Sequence, residues 1–444
     1  MNFILAFIQL MLIFLIVLIE YRNASTVIFL WATLLVMFGL PHFIAVLTQT
    51  LIYPESVYLK ASLFVILFNL IYLMFRYVFK IIFGKFEVIN CIKEEIKNNA
   101  IIYNQRKESL RLLITLILFF SVSIFLIIKD YGSIYNTSWG LIYTNSLSAY
   151  SLGFNIQSIS FFTKYIVFAT GGLFTYYFYK KDLVKSFLTA IIIILYTIIT
   201  RNRILILPIV IPVLLIFLLK YRKLNFKKVI LYGILGCGVI YIVYALRLFR
   251  HFGDLTTFIN TFEFESFNKR LFEMLLSGDG ELGLRNVFLY FIYNDNNFLN
   301  FNKGHTYLRL LFMFIPTKYA LGLKPPDFAI SMGSAWMGDF TNNRFSTHPT
   351  LYGDCFANLY WFGIFLAIFW ALIAVVIDKI IYKSNLLKKL NYISIFGSMY
   401  IIVGRGSVYN GVLLGTISAI LLQIMYIVYH KFPRIKLTSK SYNL

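Results

Sequence analysis

The stretch TRNRILILP, residues 200–208, sets Arg201 and Arg203 between two apolar runs, and a second close pair, Arg247 and Arg250, follows in RLFRHFGD. A guanidinium presents a planar fork of donors that grips phosphate or carboxylate oxygens two at a time, which an ammonium does not. Arg247 and Arg250 are three residues apart and share a face if their helix continues. Arg405, in VGRGSVYNG, is another isolated arginine between apolar runs, and Arg270 and Arg285 lie in the long polar stretch that precedes it. A different chemistry is offered by STHPTLYGDCFANLYWFG, residues 346–363, where His348 and Asp354 stand six apart with a proline and a glycine between them. A carboxylate bordering a low-dielectric core, or a histidine titrating near neutrality, suits a general base or acid. The combination reads as cations for an anion plus a proton acceptor.

The elements that position these residues are set by composition. Of 444 residues, 59% are hydrophobic, against about 45–50% in a soluble domain, so lipid is the solvent. Apolar runs of membrane-spanning length recur at 3–19, 26–52, 57–83, 110–128, 156–179, 183–199, 204–219, 229–249, 350–377, 390–403 and 409–429. The expected fold is an all-α polytopic membrane protein of about eleven spans, with 26–52 tilted or broken near Pro41. Three parts follow: 1–249 with eight spans, 250–350 as one large outer loop with interfacial helices, and 351–444 with three spans and a basic tail. The first run has no charged flank or small-residue cleavage site and reads as a span.

Lysine-rich connections at 84–109, 180–185, 220–228 and 378–389, with the tail, alternate along the chain and fall on one side, the cytoplasmic one by the positive-inside bias. Most of the excess of 41 basic over 19 acidic residues is therefore topology signal, not a footprint for nucleic acid. The arginines sort the other way. Arg201, Arg203, Arg247, Arg250, Arg270, Arg285, Arg309, Arg344 and Arg405 fall outside and six fall inside. Topology does not require them there, so an anion site at the outer membrane surface is the expectation, with the diphosphate of a lipid carrier as its occupant. The plainer readings are that outer arginines snorkel to headgroups, that Asp354 stabilises a helix start, and that His348 is a loop histidine.

Three cysteines, Cys91, Cys237 and Cys355, form no metal or disulfide pattern. There is no phosphate-cradling glycine loop, and GDGE at 278–281 lacks the ligand spacing of a calcium loop. No acidic pair occupies the first outer loop, so no metal and no cofactor is expected.

The order of parts resembles the Wzy-type polymerases of bacterial oligosaccharide repeat units. Those have eleven to fourteen spans, an arginine motif at an outer turn, one large periplasmic loop, and then a G-E-x-y-x-N-f-G-x-x-G run. Here YGDCFANLYWFGIF matches Gly353, Asp354 and Asn358 in kind, with aspartate for the commoner glutamate and Tyr360-Trp361 inserted before Gly363. GHTYLRLLFMFIP followed by LKPP is similar to the family's G-x-T-Y and K-P segment, and TRNR occupies the place of the arginine motif of the related ligases. The resemblance implies a GT-C-like enzyme in the bacterial inner membrane with its active site facing the periplasm. It would move a growing glycan from undecaprenyl diphosphate onto an incoming lipid-linked unit, without metal, for O-antigen or capsule. Arg201, Arg203, Arg247 and Arg250 would hold the diphosphate with Arg270, Arg285 or Arg405, and Asp354 or His348 would be the base. Implied partners are undecaprenyl-diphosphate-linked oligosaccharides, the bilayer, a chain-length regulator and a flippase. An O-antigen ligase, which keeps a late-loop histidine, is the rival of the same class. A lipid-linked sugar or polysaccharide transporter is the rival from another class; it calls for ionisable groups at mid-membrane and paired halves.

Overall fold

A computed structural model describes residues 2–84, 86, 103–134, 141–142, 157–220, 263–269, 283–298, 305–315, 317–339 and 346–431. Among them there is no strand, and eight helices are long and apolar enough to cross a membrane. The chain is thus an all-α polytopic membrane protein. The expected span 229–249, with Arg247, Arg250 and Arg270, lies outside the described residues.

Helix α1 (Asn2–Asn23) is followed by α2 (Ile28–Leu34), a π turn (Leu35–Gly39) and α3 (Leu40–Leu47). The expected break at Pro41 is a loosened turn instead, because a proline removes one N–H rung and a wider turn re-registers the ladder around it. Helices α4 (Glu55–Phe83) and α5 (Tyr103–Tyr131) come next. The run expected as one span at 156–179 is split at Gly171 into α6 (Gln157–Thr170) and α7 (Gly172–Tyr179). Then come α8 (Leu183–Thr200), a 3-10 turn (Arg203–Ile206) and α9 (Leu207–Lys220). The outer-loop region contributes α10 (Leu284–Tyr293), α11 (Thr306–Leu311) and α12 (Phe328–Met337). The chain ends in α13 (Thr350–Leu359), a 3-10 stretch (Tyr360–Phe365), α14 (Leu366–Lys383), α15 (Leu386–Gly404) and α16 (Val408–Lys431).

Helix α15 is the axis of the second half, with 89% of its apolar window buried. It packs on α2, α6, α7, α9 and α16. Close approach depends on Gly172, where a Cβ would stand 2.4 Å from the Leu390 carbonyl carbon. Polar groups on this helix also repair neighbours. Pro212 has no N–H to bond the Pro208 carbonyl, and Ser394 Oγ donates to that oxygen at 2.9 Å. The inner connection expected at 378–389 shrinks to a turn at Ser384–Asn385, since α14 runs on to Lys383 and Asn385 caps α15 by accepting from Lys388 N at 3.0 Å.

Helix α14 keeps its last turns inside the bundle because Asp378 is part of a buried charge cluster. Arg76 of α4 donates from Nε to Glu20 Oε1 at 2.8 Å, from Nη2 to Glu20 Oε2 at 2.9 Å, and from Nη2 to Asp378 Oδ2 at 2.6 Å. Ser25 Oγ donates to Asp378 Oδ1 at 2.7 Å, and the Tyr72 hydroxyl donates to Glu20 Oε1 at 3.1 Å. All five side chains are buried. The cluster ties α1, α4 and α14 together at the end that carries the lysine-rich connections, called the inner end below. At the opposite, outer end Asn2 Nδ2 reaches Glu55 Oε2 at 2.9 Å.

Removing one member of a buried ion cluster strands the others, at a cost of about 3–5 kcal/mol. Arg76→Met should therefore lower the thermal unfolding midpoint and the membrane abundance sharply, while Ser394→Ala should cost about 1 kcal/mol. An Arg76→Met protein as stable as wild type would contradict this account of the inner end.

Candidate anion site at the outer end

The TRNR turn is built by backbone geometry before any ligand is considered. Thr200 Oγ1 donates back to the Tyr196 carbonyl at 2.7 Å and closes α8. Arg201 then takes a left-handed conformation, φ 52°, while Arg201 N and Asn202 N donate to the Ile198 and Thr197 carbonyls. Asn202 Oδ1 accepts from Ile204 N at 3.3 Å and starts the descending 3-10 turn. A left-handed arginine costs about 1–2 kcal/mol where glycine would be free. Both Arg201 and Arg203 are exposed.

Arg405 sits on a second outer turn, between α15 and α16. Gly406 follows at φ 93°, and a Cβ there would stand 2.5 Å from Thr350 N. That close approach lets Thr350 N donate to the Arg405 carbonyl at 3.1 Å. His348, half-buried, lies two residues before this contact, and Thr347 N anchors the same segment to the Ala329 carbonyl of α12 at 3.1 Å. The structure therefore brings the Arg405 hairpin and the His348 segment onto one surface. Arg201 and Arg203 stand on a different turn, linked to it through α9 and α15.

Asp354 lies one turn into α13 and is 1% exposed. Its Oδ2 accepts from Thr306 Oγ1 at 2.8 Å, and its Oδ1 accepts from Asn358 Nδ2 at 3.2 Å. Asn358 Oδ1 in turn accepts from Thr306 N at 2.8 Å. The GHTY and YGDCFAN segments thus close on each other, and both carboxylate oxygens are engaged. Asn296 Nδ2 adds bonds to the Phe356 and Ala357 carbonyls at 3.3 and 3.0 Å. Among residues the sequence reading gave no role, Thr306 and Asn358 complete this clasp. Arg309, one of the nine outer arginines of the sequence, bonds the Pro325 carbonyl from Nη1 at 2.5 Å and holds its guanidinium 4.8 Å over the Tyr409 ring. The Lys324-Pro325-Pro326 turn, readable from sequence as loop punctuation, is held by that arginine. A pairing of T-Y with D-x-x-x-N was present in the sequence as two motifs, but nothing in either states that they touch.

Arg285 departs most from expectation. Helix α10 is not an interfacial strip: Leu284 to Leu289, Phe291 and Ile292 are all buried, and the helix packs on α4 and α13. Arg285 is 5% exposed. Burial pulls its pKa down, and Tyr58 opposes the shift. Among the described residues it meets no carboxylate, and its hydrogen bond runs from Nε to Asn286 Oδ1 at 3.4 Å. No group of three or more His, Cys, Asp or Glu suited to a metal ion occurs among the described residues.

Thr306→Val leaves one Asp354 oxygen buried without a donor, a loss of about 1–3 kcal/mol. Cys355, buried and free beside the Tyr307 hydroxyl at 3.2 Å, reports on the clasp. With Cys91 and Cys237 replaced by serine, its thiol labelling should quicken by roughly tenfold in Thr306→Val; an unchanged rate would mean the clasp does not hold α11 to α13. No family model, no curated protein and no solved structure matches the chain.

Proposed function

We propose that the protein polymerises polyprenyl-diphosphate-linked oligosaccharide units at the outer membrane face, with the lipid diphosphate as leaving group. The observation that carries this reading is the hydrogen bond from Thr350 N to the Arg405 carbonyl, which sets a guanidinium-bearing turn against the His348 segment and one turn from Asp354. A cation beside a proton acceptor is what glycosyl transfer from a diphosphate needs. The acceptor hydroxyl oxygen bonds to the anomeric carbon as the bond from that carbon to the diphosphate oxygen breaks. The electron pair leaves on the diphosphate, where arginine donors stabilise it, and the hydroxyl proton passes to the base. Charge-assisted hydrogen bonds contribute about 1.5–3 kcal/mol each, and a placed general base contributes about 10²–10⁴-fold in rate.

Of the two base candidates, this reading takes His348. Asp354 has both oxygens committed to Thr306 and Asn358, so it acts as a positioning residue that locks α11 onto α13. His348, half-buried and two residues before the Thr350–Arg405 contact, takes the role of base in this reading. Arg201, Arg203 and Arg405 are the diphosphate clamp; the ligase reading shares this chemistry and differs in its acceptor. The transport reading asks for ionisable groups at mid-membrane, whereas the Glu20–Arg76–Asp378 cluster lies at the inner end of the helices.

The test is complementation in cells lacking the gene, with surface glycan resolved by size and membrane abundance checked. Arg201→Lys, Arg203→Lys and His348→Gln should each abolish the ladder of long chains by about a hundredfold or more while single units still reach the surface. Loss of single units as well would support transport or ligation, and an unchanged ladder would reduce these residues to anchors.

A further inference from the structure

The stretch from Tyr307 to Pro326 carries three basic residues, Arg309, Lys318 and Lys324, and no acid. It folds as a hairpin. Helix α11 runs to Leu311, a 3-10 turn (Thr317–Tyr319) follows, and the chain reverses through Leu321, φ 49°, and Gly322, φ 79°. Two cations close the neck: Lys324 Nζ donates to the Ile315 carbonyl at 2.7 Å, and Arg309 Nη1 donates to the Pro325 carbonyl. The tip is apolar and open. Leu321 is 89% exposed, Leu311 77% and Leu323 65%, and Phe314, Ile315 and Tyr319 are exposed as well. A surface that faces only water scatters large apolar side chains singly, so a cluster of them calls for a partner.

The place where the hairpin is rooted decides what that partner is. The Tyr307 ring lies 6.2 Å from Phe369 in the first turn of α14, and its hydroxyl lies 3.2 Å from Cys355 of α13. Both helices belong to the membrane-spanning stretch Thr350–Lys383. Helix α11 also packs on α16, where the Arg309 guanidinium covers Tyr409 in the first turn. The root therefore stands beside the outer ends of membrane helices, at the level where hydrocarbon meets headgroups. A tip in hydrocarbon takes its apolar side chains out of water while the cations of the neck stay among phosphates, which is how a membrane-surface element divides its residues. With no acid in the stretch, nothing in it repels those phosphates.

We propose that residues 308–323 form a hairpin seated in the outer leaflet of the membrane. Leu311, Phe314, Leu321 and Leu323 lie in hydrocarbon, and Arg309 and Lys324 close the neck at the level of the headgroup phosphates. The partner of this surface is the lipid itself. Arg309 covers Tyr409, four residues after Arg405, so the hairpin gives the surface shared by the Arg405 turn and the His348 segment a lipid-facing edge. The proposal stands on the packing of the hairpin and not on the glycosyl-transfer reading.

The experiment uses the full-length protein with Cys91 and Cys237 replaced by serine and the buried Cys355 left in place. A nitrobenzoxadiazole fluorophore is attached at Leu321→Cys, at Phe314→Cys, or, as a water-facing reference, at the exposed Asp295→Cys. Protein with no added cysteine gives the background. Each is reconstituted in vesicles of phosphatidylcholine and phosphatidylglycerol, with spin-labelled lipid as the quencher in the membrane and iodide on both sides as the quencher in water. Relative to the reference, both hairpin probes should be quenched severalfold more by the spin-labelled lipid and severalfold less by iodide. The proposal is overturned if iodide reaches either hairpin probe as readily as it reaches the reference. It is equally overturned if both quenchers fail at the hairpin, since protein, from this chain or a second copy, would then cover the tip. All three positions are exposed, so the substitutions leave the packed bundle untouched.

Discussion

A charge or a free backbone polar group inside a hydrocarbon-solvated bundle has no water to fall back on, and this constraint organises the molecule. At the inner end it is met by Arg76, Glu20 and Asp378, which hold three distant helices in register through one bidentate and one single contact. In the middle it is met by Ser394, which supplies a proton to the carbonyl that Pro212 leaves open. At the outer end Asp354 is matched donor for oxygen by Thr306 and Asn358. Arg285, 5% exposed on α10, meets no carboxylate among the described residues and donates from Nε to Asn286 Oδ1.

The consequences of this arrangement run from packing to chemistry. Because the clasp fixes α11 against α13, the loop that contains it is bound to the bundle at Asp354, at Asn296 and where Arg309 lies over Tyr409 of α16. Because Gly406 admits the backbone of Thr350, the Arg405 turn and the His348 segment share one surface. The buried charges that hold helices together at the inner end are thus kept apart from the exposed arginines of the outer turns.

Much of the architecture was legible in the sequence because an apolar run of about twenty residues has few other uses. The spans at 3–19, 57–83, 183–199, 390–403 and 409–429 have helical counterparts whose ends shift by a few residues. What periodicity does not show is tertiary pairing. Glu20 and Asp378 lie far apart in the chain, and neither looks unusual at the end of an apolar run, where an acid reads as an inner flank. Arg285 was placed in the outer loop with the rest of 250–350, yet LRNVFLYFIY carries apolar residues all around its helix and is buried accordingly. The acid at the head of α13 could be found by inspection, but not that both of its oxygens are spoken for. The split at Gly171 had a signal, two adjacent glycines inside an apolar run, and the reason for it is the approach of Gly172 to α15.

The central claim is that a cation-lined outer surface transfers glycan between lipid diphosphates. The most direct measurement reconstitutes the purified protein in proteoliposomes with isolated lipid-linked repeat units and resolves the products by size. The account predicts longer lipid-linked glycans, with one polyprenyl diphosphate released for each unit added and no nucleotide sugar supplied. Repeat units that stay single, whether left in place or carried across the bilayer, would contradict it.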